Sequence, residues 1–64
     1  MTEEEMTQAV KHVDGLAGMT VNERLFVSGL MEEFDKAKKS DKAKARRILE
    51  LLKIDNAGID KIIK

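Results

Sequence analysis

The chain has 64 residues, with 12 basic and 12 acidic side chains, one histidine, and no cysteine, tryptophan, tyrosine or proline. This length admits one small domain, and the lack of cysteine excludes disulfide bridges, thiolate zinc sites and cysteine nucleophiles. A formal net charge of zero provides no overall attraction to nucleic acid or to anionic membranes. The acidic N-terminus and the lack of a long apolar run predict neither a secretion signal nor a membrane span, so we expect a soluble, cytoplasmic protein.

Helix-forming residues dominate, and the few aromatic and β-branched residues do not alternate, which favours an all-α fold. Near the N-terminus, Thr2 and Glu5 have the spacing of a capping box, in which each side chain bonds the other residue's backbone N–H. One helical stripe then contains the apolar residues Met6, Ala9, Val10 and Val13. Since Gly15 and Gly18 favour termination, the sequence predicts a first helix over about residues 3–13.

A second capping box is predicted at Thr20 and Glu23. An arc about 140° wide on the following helix contains Phe26, Val27, Leu30, Met31, Phe34 and Ala37. The pattern predicts one helix over residues 21–38, with this arc organising the core. Leu25 lies off the arc. Gly29 lies inside the predicted helix, where glycine costs about 1 kcal/mol relative to alanine, and it is either tolerated there or allows another helix to approach closely.

Two further helices complete the prediction. Ser40 is a candidate N-cap for a helix over about residues 41–53. The inner stripe of that helix consists of Ala45, Ile48, Leu49 and Leu52. Asp55 is a candidate N-cap for a short last helix over about residues 56–63, with Ile59, Ile62 and Ile63 as its apolar contacts. The predicted architecture is therefore a single all-α domain over residues 1–64, a small bundle of three to four helices.

The neutral total conceals two oppositely charged halves. Residues 1–35 carry two basic and eight acidic side chains, whereas residues 36–64 carry ten basic and four acidic ones. Within the second half, one short segment concentrates the positive charge, namely Lys36, Lys38, Lys39, Lys42, Lys44, Arg46 and Arg47. Lys42 and Lys44 fall in the first turn of a predicted helix, where the helix dipole disfavours cations. The segment is either a solvated helix junction or a binding surface for an acidic protein or for phosphates.

Residues suited to catalysis or metal binding are few. His12 lies away from the apolar stripe of the first helix, and one histidine without cysteine makes a poor transition-metal site. Ser28 lacks the glycine pattern of a nucleophile elbow, and residues 55–60 lack the ligand spacing of a calcium loop. We therefore expect no enzymatic activity, no bound metal and no cofactor.

The segment that starts at residue 19 reads MTVNERLFVSGLMEEFDKA. It resembles small bacterial helical proteins that begin with MTVNERL and have no assigned activity, and the similarity covers roughly residues 19–54. The resemblance implies that Met19 matches a natural start and that residues 1–18 are an extension. It also implies a shared contact surface formed by Leu25, Ser28 and Gly29.

Taken together, these features predict a non-enzymatic protein-interaction module or small regulator. Its expected partner is another protein or a second copy of the chain, rather than a membrane or a small-molecule substrate. The alternative is a nucleic-acid-binding protein that uses the basic junction between the second and third predicted helices. Salt separates the two, because phosphate binding weakens steeply as the salt concentration rises.

Overall fold

The computed structural model describes residues 1–63, and within them the chain forms five α-helices and one short 3₁₀ turn. The elements are α1 Glu3–Lys11, a 3₁₀ turn Leu16–Gly18, α2 Val21–Ser28, α3 Met31–Ser40, α4 Lys42–Leu51 and α5 Asn56–Ile63. The all-α prediction is confirmed, although five helices replace the three to four expected. The Cα radius of gyration is 10.6 Å, close to the value of about 10.7 Å for a folded domain of this length. All five helices therefore belong to one compact unit.

Both predicted capping boxes are present. The backbone N–H of Thr2 donates to the Glu5 carboxylate at 2.8 Å, and the Glu5 N–H donates to Thr2 Oγ1 at 3.2 Å. The corresponding distances for Thr20 and Glu23 are 2.9 and 3.2 Å. Backbone N–H donation from Thr2 and Thr20 is also the main reason that the pKa values of Glu5 and Glu23 are lowered. The starts of α1 and α2 are thus determined by local sequence.

The prediction of one helix over residues 21–38 is wrong, because the chain turns at Gly29 and Leu30. Gly29 has a φ of +75°, and its N–H donates to the Phe26 carbonyl at 3.1 Å. The Leu30 N–H donates to the Leu25 carbonyl at 3.1 Å, which completes a Schellman motif. Leu25 and Leu30 are 2% and 0% exposed and belong to the core. Glycine's access to the left-handed region and the burial of these two leucines together favour the turn over a straight helix.

Helix α4 lies at the centre of the fold and packs against α1, α3 and α5. Its predicted inner stripe is confirmed, because the four residues Ala45, Ile48, Leu49 and Leu52 are each 0% exposed. The other helices and turns contribute Met6, Val10, Leu25, Leu30, Phe34, Ala37, Ile59 and Ile63 to the same core. The inner stripe of α4 therefore forms the middle of the hydrophobic core.

Asp41, rather than the predicted Ser40, caps α4. The Ser40 hydroxyl donates back to the Lys36 carbonyl at 2.9 Å, so Ser40 belongs to the last turn of α3. Asp41 leaves the helical conformation and its carboxylate accepts from the Lys44 N–H at 3.2 Å. A carboxylate at this position also interacts favourably with the positive end of the α4 dipole.

The predicted cap and bounds of the last helix are confirmed. The Asp55 carboxylate accepts from the Gly58 N–H at 3.0 Å, and α5 covers Asn56–Ile63. Ile59 and Ile63 are buried, as the apolar pattern predicted, and Ile62 is partly buried against the core. This short helix is therefore held by its contacts with the core rather than by its length.

Arg24 connects α2 to the end of α4. Its Nη1 donates to the carbonyls of Leu52 at 2.9 Å and Lys53 at 3.3 Å. Lys53 has a φ of +67°, which is uncommon for a residue with a side chain. The guanidinium stabilises this turn because it places a cation at the negative end of the α4 dipole. Sequence reasoning missed Arg24, since its partner Leu52 is 28 residues away and no local pattern indicates the contact.

Candidate interaction surfaces

The basic segment, defined as the seven lysines and arginines of residues 36–47, lies on α3 and α4. Three of its members contact carboxylates of other helices: Lys44 contacts Glu33, Arg46 contacts Asp60 and Arg47 contacts Glu3. The other four are exposed and have no carboxylate within 4.0 Å among residues 1–63: Lys36, Lys38, Lys39 and Lys42. Both arginines are thus used inside the chain, and the remaining charge is carried by lysine alone.

Some of the opposite charges of the two halves form ion pairs between helices. Arg47 of α4 bonds to Glu3 of α1 and also lies 3.5 Å from Glu50 on its own helix. The bond to Glu3 is the main reason that the pKa of Arg47 is raised. Because both side chains are substantially exposed, at 44% and 59%, this ion pair orients α1 against α4 without adding much stability.

Glu33 and Lys44 form the least exposed ion pair of the basic segment. Lys44 Nζ lies 3.0 Å from Glu33 Oε2, and the side chains are 31% and 23% exposed respectively. The hydrogen bond from Lys44 is the largest cause of a lowered pKa for Glu33. Together with the Asp41 cap, this carboxylate offsets the unfavourable position of Lys44 in the first turn of α4. The location of Lys44 therefore has a structural explanation and does not by itself indicate binding.

This ion pair predicts a dependence of stability on pH. A carboxyl whose pKa is lower in the folded chain stabilises the fold above its unfolded pKa, and the contribution is lost as the pH falls through the folded value. We expect Lys44→Gln to raise the pKa of Glu33 towards its ordinary value of 4.5 and to reduce the loss of stability below that pH. An NMR titration of the Glu33 carboxyl, with thermal unfolding at neutral and acidic pH, measures both effects.

Lys42→Gln is the matched control, because Lys42 is exposed and has no carboxylate partner among the described residues. Glu5 and Glu23 keep their lowered pKa values in both variants, so some acid sensitivity remains. An unchanged Glu33 titration in Lys44→Gln would contradict the assignment of the shift to Lys44.

Two apolar side chains on α2 are exposed instead of buried. Phe26 is 77% exposed and Val27 is 47% exposed, so their predicted place in the core is wrong. The cause is the turn at Gly29, because α2 then faces the core through Leu25 and Ser28, which are 2% and 8% exposed. The contact surface predicted at Leu25, Ser28 and Gly29 is thereby corrected: only Gly29 of the three is exposed. The exposed apolar side chains of α2 are Phe26 and Val27, called the apolar pair below.

A groove of about 430 Å³ lies between α2, α3 and α5. Its apolar lining includes Val21, Met31, Phe34 and Ile62. Asp35 and Lys38 also line it, and Lys38 Nζ lies 5.7 Å from the centre of the Phe34 ring. The volume falls within the range of small-molecule sites. However, the two opposite charges in its lining do not define one ligand chemistry.

The single histidine and the acidic side chains are the candidate metal ligands in the described part of the chain. His12 is exposed at the C-terminal end of α1, as predicted. Among residues 1–63, no three histidine, aspartate or glutamate side chains are grouped so that they could hold a metal ion. Within the same residues, every helix is too short or too polar to cross a bilayer.

Comparisons of the chain with protein-family models, with curated proteins and with solved structures gave no match. The resemblance of residues 19–54 to small bacterial proteins therefore stays a prediction. Two surface features of the described residues remain as candidate binding sites. One is the exposed apolar pair, and the other is the group of four lysines without carboxylate partners among residues 1–63.

Proposed function

We propose that this chain is a non-enzymatic protein-interaction module that contacts its partner through the apolar pair. The observation that carries the proposal is the 77% exposure of Phe26, one of two phenylalanines in the chain. Burying a side chain of this size stabilises a complex by about 1.5–3 kcal/mol. Aromatic residues are also enriched at the centres of protein interfaces.

The charged neighbours of the apolar pair support a contact that is mainly apolar. The Glu23 carboxylate is occupied in its capping box, and the Arg24 guanidinium is bonded to backbone carbonyls. Both side chains therefore already have backbone hydrogen-bond partners when a partner covers the next turn of α2. A partner surface that is apolar therefore fits here without an unpaired buried charge.

Nucleic-acid binding is the second candidate, and the four unpaired lysines of the basic segment favour it. Lysine neutralises phosphate but lacks the planar fork by which arginine reads base edges, and both arginines of the segment are paired with carboxylates. Such binding would be non-specific. Four phosphate contacts on a duplex predict a slope of about −3.6 for the logarithm of affinity against the logarithm of salt concentration.

The test measures two kinds of protein association, both in samples treated with nuclease. One is the self-association of the pure chain, and the other is the capture of other proteins by the chain. We expect Phe26→Ser to remove the association. Because Phe26 is exposed in the single chain, the variant should unfold at the same temperature as the natural chain at concentrations where both are monomeric. Glu32→Ser, at an exposed site on α3, is the control substitution and should retain binding. A fourfold lysine-to-glutamine variant should also retain it, with substitutions at Lys36, Lys38, Lys39 and Lys42.

Two results would overturn the proposal. Association that survives both Phe26→Ser and Val27→Ser would show that the apolar pair is not the contact. Binding that appears only when nuclease is omitted, and that the fourfold lysine variant lacks, would establish the nucleic-acid candidate in its place.

A further inference from the structure

We infer that the partner covering the apolar pair is a second copy of this chain, in a dimer that exchanges α1 and α2 between copies. In this dimer α2 and α3 join into one continuous helix, so that α1 of each copy packs against α4 of the other copy and α2 packs against the other copy's α3. The inference rests on the proposed function, because it names the partner for the same surface. The apolar pair is covered by a whole second copy of the chain. Binding of a different protein at this surface is one of the results that the experiments below distinguish.

The hinge of the exchange is very short. Gly29 and Leu30 alone separate α2 from α3, and Leu30 already has a φ of −99° and a ψ of 5°, near the right-handed helical region. Gly29, with a φ of +75°, is the residue whose backbone must change for the helices to join. Short hinge loops between helices are a recognised route to exchanged dimers.

The apolar pattern of residues 21–38 continues through this hinge. In a continuous helix, Phe26 and Val27 fall on the same arc as Leu30, Met31, Phe34 and Ala37. In the single chain the core covers Phe34 and Ala37 but leaves the apolar pair exposed. Leu30 is also buried and Met31 is partly buried, so only the apolar pair of this stripe is left uncovered. A continuous helix restores the stripe as a single face that a second copy can cover.

Exchange keeps the contacts that α1 and α2 make with the rest of the fold. Met6 and Val10 of α1 lie in the core beside α4, Glu3 bonds to Arg47, and Arg24 bonds to the end of α4. Each contact forms equally well between two copies, since the receiving surface is identical. Phe26 and Val27 lie in the last turn of α2, close to the hinge, where the two long helices approach each other in the dimer. Their burial is therefore new in the dimer.

The first experiment compares Gly29→Ala with Gly29→Asn by sedimentation equilibrium. A side chain at position 29 meets no atom within 4 Å, so both variants fit the single-chain fold sterically. Alanine is strongly disfavoured in the left-handed conformation and favours helix, whereas asparagine tolerates it. Since two hinges straighten per dimer, we expect Gly29→Ala to lower the dimer dissociation constant about a hundredfold. Gly29→Asn should change it much less, and adding Phe26→Ser should weaken the Gly29→Ala dimer.

The second experiment detects the exchange itself in the otherwise natural chain, which contains no cysteine. Copies with Glu3→Cys are mixed with copies with Arg47→Cys at high concentration and treated with a short thiol-reactive cross-linker. The exchanged dimer brings position 3 of one copy beside position 47 of the other, so cross-linked pairs should form in the mixture and exceed those in either variant alone. This readout does not depend on whether a Gly29 variant folds.

A chain that stays monomeric in the natural form and in Gly29→Ala overturns the inference. A dimer without excess cross-linking between the two cysteine variants also overturns it, because such a dimer is not exchanged. If the chain is monomeric but captures a different protein in a Phe26-dependent manner, the proposed function stands and only the second-copy inference fails. If Phe26→Ser changes no association of any kind, both fail.

Discussion

Leu25→Ala should destabilise this domain severely, whereas Phe26→Ala should change its stability by no more than about 0.5 kcal/mol. Leu25 is 2% exposed in the core, and replacing a buried leucine by alanine costs about 2–5 kcal/mol. A domain of this length has a total stability of about 3–10 kcal/mol. The Leu25 variant is therefore expected to lose a large fraction of the free energy of unfolding. Urea titration followed by circular dichroism measures both variants directly.

The comparison is informative because the helical pattern predicts the opposite order. In an unbroken helix over residues 21–38, Phe26 belongs to the buried arc and Leu25 does not. A large loss of stability in Phe26→Ala, with little change in Leu25→Ala, would therefore show that the helix continues through Gly29 in the isolated chain. The two substitutions are adjacent on α2, so differences in helix end effects largely cancel.

The turn at Gly29 shows where reasoning from sequence pattern fails. Glycine within an apolar helical pattern is compatible with a tolerated defect, a close helix approach or a helix end. A helix end at Gly29 is favoured because it allows Leu25 and Leu30 to be buried. Their burial depends on contacts with helices far along the chain. Local periodicity does not contain that information. The predicted core was consequently wrong at Phe26 and Val27.

Features that depend on neighbouring residues were predicted well. The capping boxes at Thr2 and Thr20 need partners only three residues away, and both are present. The apolar stripe of α4 was also correct, because that helix is surrounded by other elements and its inner face is regular. By contrast, the cap of α4 was placed one residue early. Ser40 and Asp41 both suit the role, and only the end of α3 decides between them.

The sequence predicts which residues form the basic segment, but it does not predict which of them form ion pairs. The concentration of positive charge at residues 36–47 is evident from the sequence, and four of the seven side chains remain without a carboxylate partner among residues 1–63. The partners of Lys44, Arg46 and Arg47 on other helices lie 11 to 44 residues away, so the sequence alone does not show which charges are neutralised between helices. The apolar pair was missed for the same reason as the helix break.

Deletion of residues 1–18 should unfold the remainder of the chain. Met6 and Val10 are 3% and 9% exposed, and burying two such side chains contributes about 3–6 kcal/mol. Their removal also exposes the apolar surface of α4 against which α1 packs. Because this loss is comparable with the whole stability expected for the domain, residues 19–64 should show low helical content and no cooperative thermal transition. Circular dichroism and proton NMR dispersion measure this.

A double variant of the full-length chain distinguishes the loss of core packing by α1 from the effect of shortening the chain. Met6→Ser with Val10→Ser should destabilise nearly as much as the deletion, whereas Glu4→Ser with Gln8→Ser, on the exposed face of α1, should have little effect. A deleted chain that retains full helical content and a cooperative transition would show that α1 is an addition to an independent fold. That outcome would agree with Met19 as a natural start, as the resemblance implies. Unfolding would instead show that α1 completes the core that positions α2 and its apolar pair.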